Sequence, residues 1–184
     1  MNVVGFCGPS GVGKTTLIEG VIAGLKAHGL RVSVVKHAHE RFDIDQPGKD
    51  SHRHRMAGAS EVLLASSQRL ALLREYDLEG QPTVHQLIAE LSPAHWVLVE
   101  GYKHADLPKI EVWRAAVGGT PLYPDDPYVT AVATDVPAAL PQPTGLPVFD
   151  LAMPATVVAH LLDSAARYRY NRDDNPDDNP DLHG

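Results

Sequence analysis

Asn2-Val3-Val4-Gly5-Phe6-Cys7 runs directly into Gly8-Pro9-Ser10-Gly11-Val12-Gly13-Lys14-Thr15-Thr16. The first stretch is a short apolar run of strand length. The second matches G-x-x-x-x-G-K-[ST] at every fixed position. Its glycines admit positive φ, so that successive backbone N–H groups can turn inward around an anion. Lys14 puts a compact charge on β- and γ-phosphates, Thr15 supplies a hydroxyl for Mg²⁺, and the N-terminus of the next helix favours negative charge. A chance glycine-rich turn is the rival reading, and the flanking elements decide against it.

Those flanks build outward into an α/β fold. From Lys14 to His28, Leu17, Ile18, Val21, Ile22 and Leu25 share one helical face, and Gly29 is a natural C-terminal cap. Val32, Val34 and Val35 mark a second strand over residues 31–36. Strand, helix and strand within about 35 residues form a βαβ unit, which requires a parallel sheet. Further on, a short helix is expected over 50–57 and a hairpin from 61–65 and 70–73. Thr83 and Gln86 form a capping box for a helix to Leu91. Strands are expected at 96–99, 109–113 and 129–133, with a short one at Val148-Phe149. Pro154 opens a last helix whose Val157, Val158, Leu161 and Leu162 face inward. The expected architecture is a P-loop NTPase, a mostly parallel sheet with helices on both faces and an added β-hairpin. One domain would cover residues 1–170.

Composition sets outer limits. The 184 residues suit one well-buried core. No apolar run approaches the roughly 18 residues of a membrane span, and the first residues lack the basic start of a secretion signal, so a cytoplasmic protein is expected. The formal net charge of −7 argues against a nucleic-acid backbone binder. The imbalance is concentrated at the end. Residues 171–184 hold five Asp against one Arg and repeat Asp-Asp-Asn-Pro, a composition that predicts a disordered acidic tail. Cys7 is the sole cysteine, which leaves no disulfide or cysteine zinc cluster and reads as a small buried residue.

A phosphate loop needs a carboxylate in the metal shell, placed at the end of a buried parallel strand, where such sheets bind ligands. Glu100, after Trp96-Val97-Leu98-Val99, is the candidate. Asp77 in Asp77-Leu78-Glu79-Gly80 imitates D-x-x-G, but its preceding run breaks at Arg74-Glu75 and reads as a turn before a capped helix. Residues 36–55 are a candidate switch or anionic-ligand loop. Asp45 and Asp50 would hold a water or a metal-bound water, while Lys36, His37, Lys49, Arg53 and Arg55 would contact a phosphate or another anion. In phosphoryl transfer the protein mainly positions groups and neutralises charge, which such a loop suits. The pairs His37/His39 and His52/His54 also invite a transition-metal reading, weakened by the lack of cysteine.

Taken together, these residues resemble the MobB family of molybdopterin-guanine dinucleotide biosynthesis adaptors. The similarity spans roughly residues 1–165. It rests on Gly8 to Thr16, Val34-Val35-Lys36-His37, Asp45 to Ser51 with Arg53 and Arg55, Ala57-Gly58-Ala59, Val97 to Lys103, Pro108 to Glu111 and Ala133-Thr134-Asp135. The phosphate loop alone is unspecific; Pro-Gly-Lys-Asp-Ser joined to Glu-Gly-Tyr-Lys is far more so. The resemblance implies a GTP-binding, dimerising protein with weak GTPase activity. It would assist the guanylyltransferase that attaches GMP to molybdopterin, with molybdopterin itself a further candidate ligand. By the same resemblance Lys14 and Thr15 hold phosphate and Mg²⁺, Glu100 completes the metal shell and Asp50 lies near the γ-phosphate.

The chain lacks Asn-Lys-x-Asp, the usual guanine reader. Asp135, just beyond the strand at 129–133, is the candidate replacement, accepting from guanine N1–H and the 2-amino group; the bland alternative is a turn residue before Pro137. A small-molecule kinase using the same loop is the main competing function, with residues 49–55 as its lid. Partition-type ATPases are a weaker match, because they carry an additional lysine where this chain has Gly8-Pro9-Ser10-Gly11.

Overall fold

The computed structural model describes residues 1–38, 43–76 and 82–171. Two compact units emerge: Met1–His37 with Thr83–Gly184, and Ala38–Pro82.

The larger unit is a six-stranded sheet. Its strands are β1 (Asn2–Cys7), β2 (Val32–Lys36), β5 (Trp96–Glu100), β6 (Lys109–Val112), β7 (Val129–Thr134) and β8 (Val148–Asp150). They lie in the order β2-β5-β1-β6-β7-β8, and all five pairings are parallel. β5, β6 and β7 are buried along their whole length, as expected when both faces of a parallel sheet are covered.

Alternation along the strands sorts the core into two layers. Val4, Phe6, Leu98, Ile110, Val112, Ala131 and Ala133 meet α1 (Lys14–Ala27) and α4 (Pro154–Asp163). Val3, Val97 and Val99 meet Val84 and Ile88 of α3 (Val84–Ala89) on the opposite face. Helices therefore cover both faces. Each of Leu17, Ile18, Val21 and Leu25 is buried, contributing about 1.5–3 kcal/mol apiece. Gly20 and Gly24 let α1 and α4 approach closely: a Cβ at either would lie 2.5 Å from Pro154 Cγ or 2.6 Å from Val158 Cγ2.

Local signals act where the sequence places them. Gly29 ends α1 with φ 73°. The capping box is complete: Thr83 Oγ1 accepts from Gln86 N at 3.2 Å, and Gln86 Oε1 from Thr83 N at 2.8 Å. Cys7 is fully buried, and burial pushes its thiol up to about 12.

The smaller unit contains α2 (Asp50–Met56) and an antiparallel hairpin of β3 (Glu61–Ala65) and β4 (Leu70–Arg74). The hairpin forms a sheet of its own. His39 and Asp77 lie outside the described residues, as does the tail from 172 on.

Candidate functional site

The site grows from the carboxyl ends of the parallel strands. β1 ends at Cys7, and the loop turns through Gly8, Gly11 and Gly13 at φ 131°, 74° and 105°. Only Gly fits at position 8, because a Cβ there would stand 2.2 Å from the Val112 carbonyl oxygen. Val12 is fully buried in the core and anchors the loop from below, whereas Ser10, Gly11 and Thr16 are exposed. Lys14 Nζ donates to the carbonyls of Gly8 at 2.9 Å and Pro9 at 2.7 Å. Burial lowers the Lys14 pKa from the ordinary lysine value, with the Glu100 carboxylate acting in opposition.

Glu100 stands at the end of β5, directly beside the loop. Thr15 Oγ1 donates to its Oε1 at 2.8 Å, and Lys36 Nζ, at the end of β2, lies 3.6 Å from its Oε2. Backbone pairing fixes this register: Phe6 and Lys36 are both opposite Glu100. His37 N donates to the Glu100 carbonyl at 2.9 Å, and Gly101 N to Phe6 O at 3.1 Å. The turn that follows is tight. Gly101 has φ 97° and Tyr102 φ 47°, and the His37 and Tyr102 rings sit 4.8 Å apart. Lys14, Thr15, Lys36, His37 and Glu100 thus share one edge of the sheet.

On the other side of β1 the same edge carries Arg114, just past β6, and Asp135, just past β7. Arg114 Nε lies 3.4 Å from Asp135 Oδ2. The guanidinium lies over Gly13, with Cζ and Nη2 3.7 Å from where a Cβ would be, and Gly119 approaches Pro9. Asp135 keeps about 40% of its side chain exposed. Arg114 escaped the sequence reading. The available signal was positional, since it follows a buried parallel strand as Glu100 and Asp135 do. Beneath this loop, Glu111 is buried and accepts from the N–H groups of Leu122 and Tyr123 at 2.7–3.0 Å. Burial raises its pKa against those bonds.

The remaining candidates belong to the smaller unit. Asp45 Oδ1 accepts from Ser51 Oγ at 2.7 Å and from Gln46 N at 3.0 Å. Arg55 is nearly buried among three carboxylates: Asp43 at 2.9 Å, Asp45 at 3.4 Å and Glu75 at 2.9 Å. Lys49 is the exposed N-cap of α2, and Asp50 and Arg53 form an exposed pair at 4.0 Å. Asp45 and Arg55 are therefore engaged with each other, whereas Lys49, Asp50 and Arg53 face solvent. Among the described residues no group of three or more His, Cys, Asp or Glu side chains is placed to hold a metal ion, and no helix is long and apolar enough to cross a membrane.

The family model for molybdopterin guanine dinucleotide synthesis protein B matches residues 3–135. This chain belongs to that family. The matched span contains every strand end that builds the site. A molybdopterin-guanine dinucleotide biosynthesis adapter protein of Escherichia coli is 40% identical over 141 residues, covering 75% of this chain and 81% of its own. One from Haemophilus influenzae is 41% identical over 138 residues, covering 73% and 75%. The crystal structure of a MobB homolog from Bacillus stearothermophilus superposes with a TM-score of 0.66 at 28% identity, covering 90% of this chain and 99% of that one. The fold is that of the P-loop NTPases, as in the family's solved members.

Proposed function

We propose that this chain is a GTP-binding adapter in molybdopterin guanine dinucleotide biosynthesis. The observation that carries the nucleotide part is the 2.8 Å contact between Thr15 Oγ1 and Glu100 Oε1, beside a glycine loop whose Lys14 is at hand. Family membership carries the pathway.

Two hard oxygen donors side by side at the mouth of a phosphate loop are the donor chemistry Mg²⁺ requires. Thr15 and Glu100 are the residues that would hold it; when bound, the ion neutralises charge on phosphate oxygens. Residues 8–16 wrap the phosphates with backbone N–H groups, and Lys14 exchanges its loop carbonyls for phosphate oxygens. Asp135 accepts from the N1–H and 2-amino groups of guanine. Lys36 and His37 flank the metal side.

Turnover in this reading is slow. Asp50 orients water near the γ-phosphate, Asp45 positions the Asp50 segment through Ser51, and Lys49 and Arg53 meet an anionic partner group. The chain acts as a cytoplasmic homodimer. Leu63, Leu70 and Leu72 are exposed on one face of the hairpin and supply an apolar surface for a second copy. Its partner is the enzyme that attaches GMP to molybdopterin.

Reconstitution with that guanylyltransferase tests the proposal. Adding the chain with Mg²⁺ and GTP should raise guanine dinucleotide formation, and Lys14→Ala should abolish the increase. Stimulation that persists undiminished in Lys14→Ala would remove the nucleotide from the adapter role. Rapid phosphate transfer to a small hydroxyl acceptor would replace the reading with a kinase.

A further inference from the structure

Arg114 has no role in the proposal above, yet its position is a constrained one. The sheet order puts β5 and β2 on one side of β1, and β6 and β7 on the other. Thr15, Glu100 and Lys36 gather on the first side, where phosphate and metal chemistry belongs. A nucleotide anchored by its phosphates over Gly8 to Thr16 then has the second side for its nucleoside. That side presents Arg114 and Asp135.

The two side chains form a matched pair rather than a salt bridge sealed from solvent. Nε of Arg114 is buried, makes no hydrogen bond and faces Asp135 Oδ2 at 3.4 Å. About 38% of the Arg114 side chain and 40% of the Asp135 side chain remain exposed. The guanidinium is steadied over Gly13, and its own loop is closed by Val117 N and Gly118 N donating to the Arg114 carbonyl at 3.1 and 3.0 Å. Trp113 Nε1 adds a bond to Gly119 O at 3.3 Å. A donor fork from the loop after β6 and an acceptor fork just past β7 therefore stand side by side at the sheet edge.

We infer that Arg114 is a second specificity-determining residue for the base, donating to guanine O6 while Asp135 accepts from N1–H and the 2-amino group. This inference rests on the GTP-binding reading. Guanine presents an acceptor next to two donors along this edge, the complement of an arginine next to a carboxylate. Arginine donating to guanine O6 is a recurrent pairing in nucleic-acid recognition. Adenine presents its 6-amino donor where Arg114 donates, and the N1 lone pair where Asp135 is charged. Both groups reject it, and unpaired polar groups in a recognition site discriminate strongly.

The test is a calorimetric panel on the full chain with Mg²⁺ and GTP, ATP, ITP or XTP, using wild type, Arg114→Ala, Arg114→Lys and Asp135→Asn. Arg114→Ala should weaken GTP roughly ten- to a hundred-fold, the range of one good base contact, and leave ATP unchanged or tighter, because the donor opposing the 6-amino group is gone. Retained ATP binding also shows that the loop is folded. Arg114→Lys, which keeps one donor, should recover part of the loss. ITP lacks only the 2-amino group, so the factor favouring GTP over ITP should be the same in wild type and Arg114→Ala. Asp135→Asn should lose GTP and gain XTP.

An unchanged GTP-to-ATP ratio in Arg114→Ala overturns the inference while leaving the GTP reading intact. An equal loss of both nucleotides also overturns it, by placing Arg114 on phosphate or in the scaffold. Collapse of the GTP-over-ITP factor in Arg114→Ala would reduce Arg114 to a support for Asp135. Wild type that binds none of the four would overturn the GTP reading itself.

Discussion

At the sheet edge, Glu100 accepts from Thr15 at 2.8 Å and faces Lys36 at 3.6 Å; in the 43–76 segment, Arg55 is gripped by Asp43, Asp45 and Glu75 at 2.9–3.4 Å. Both are ionic clusters of the kind a phosphate site uses. The first is held by backbone pairing of buried strands, and its groups point past the strand ends. The second holds a short helix and loop residues together, and its cation is already neutralised. A charged residue is available to a ligand when its partners are few and its backbone is fixed by something else. Charge content alone does not distinguish the two cases.

The sharpest way to break this contrast is at the glycine that the strands constrain. Gly8→Ala puts a methyl 2.2 Å from the Val112 carbonyl at a φ that side chains avoid. It should cost about 2–4 kcal/mol of stability, read by urea denaturation, and nucleotide binding should vanish with it. A near-normal urea midpoint would mean that the loop is not locked against β6.

Glu100→Gln keeps the Thr15 contact but removes the charge. The Mg²⁺-dependent gain in GTP affinity should fall roughly 10–100-fold, measured with and without a chelator. An unaltered gain would take Glu100 out of the metal shell.

In the second cluster the expected loss is structural. Arg55→Ala leaves the Asp45 carboxylate, 6% exposed, without its cation. Local stability should drop by about 1–3 kcal/mol, seen as faster amide exchange in α2 and the hairpin, while GTP affinity stays put. A binding defect with normal exchange would return Arg55 to the ligand site. Lys49→Ala and Arg53→Ala, both exposed, should change stability by no more than about 0.5 kcal/mol; any effect should appear only in turnover or partner assays.

The clusters also titrate at opposite ends. Burial lowers the Lys14 pKa, so its charge is lost at lower pH than that of an ordinary lysine, and GTP affinity should decline as pH rises toward that value. In the second cluster the Asp45 N–H, and then Arg55, lower the Asp43 pKa from the ordinary carboxylate value. A depressed carboxylate contributes stability that is present above its unfolded pKa. That contribution is lost as pH falls through the folded value, so protection of residues 43–76, measured relative to the intrinsic exchange rate at each pH, should fall only in acid. A loss of protection in acid that is the same in Asp43→Asn would detach the effect from this group.

The contrast also explains which parts of the sequence were readable. Periodicity and the capping box of Thr83 and Gln86 are local signals, and parallel burial makes β1, β5 and β7 nearly pure apolar runs, so the sheet and its helices were legible. Glu100 was legible because it interrupts such a run at its carboxyl end. Arg114 was not: a strand is legible at 109–113, but it alternates charged and apolar residues, with Lys109 and Glu111 buried, so no apolar run is there for a terminal charge to interrupt. Lys109 Nζ is satisfied by the Lys103 and Ala105 carbonyls and by Asp126 at 2.9 Å, and Glu111 by the N–H groups of Leu122 and Tyr123, none of which the sequence pairs with them. Likewise, nothing in residues 43–55 reveals that Glu75 will claim Arg55.

Residues 8–16 with Glu100 are proposed to bind Mg²⁺ and GTP, and the decisive measurement is a calorimetric titration of GTP and of ATP with Mg²⁺, alongside Lys14→Ala. GTP should bind clearly more tightly than ATP, and binding should collapse in the mutant. Equal binding of the two nucleotides, or GTP binding that survives Lys14→Ala, would contradict the proposal.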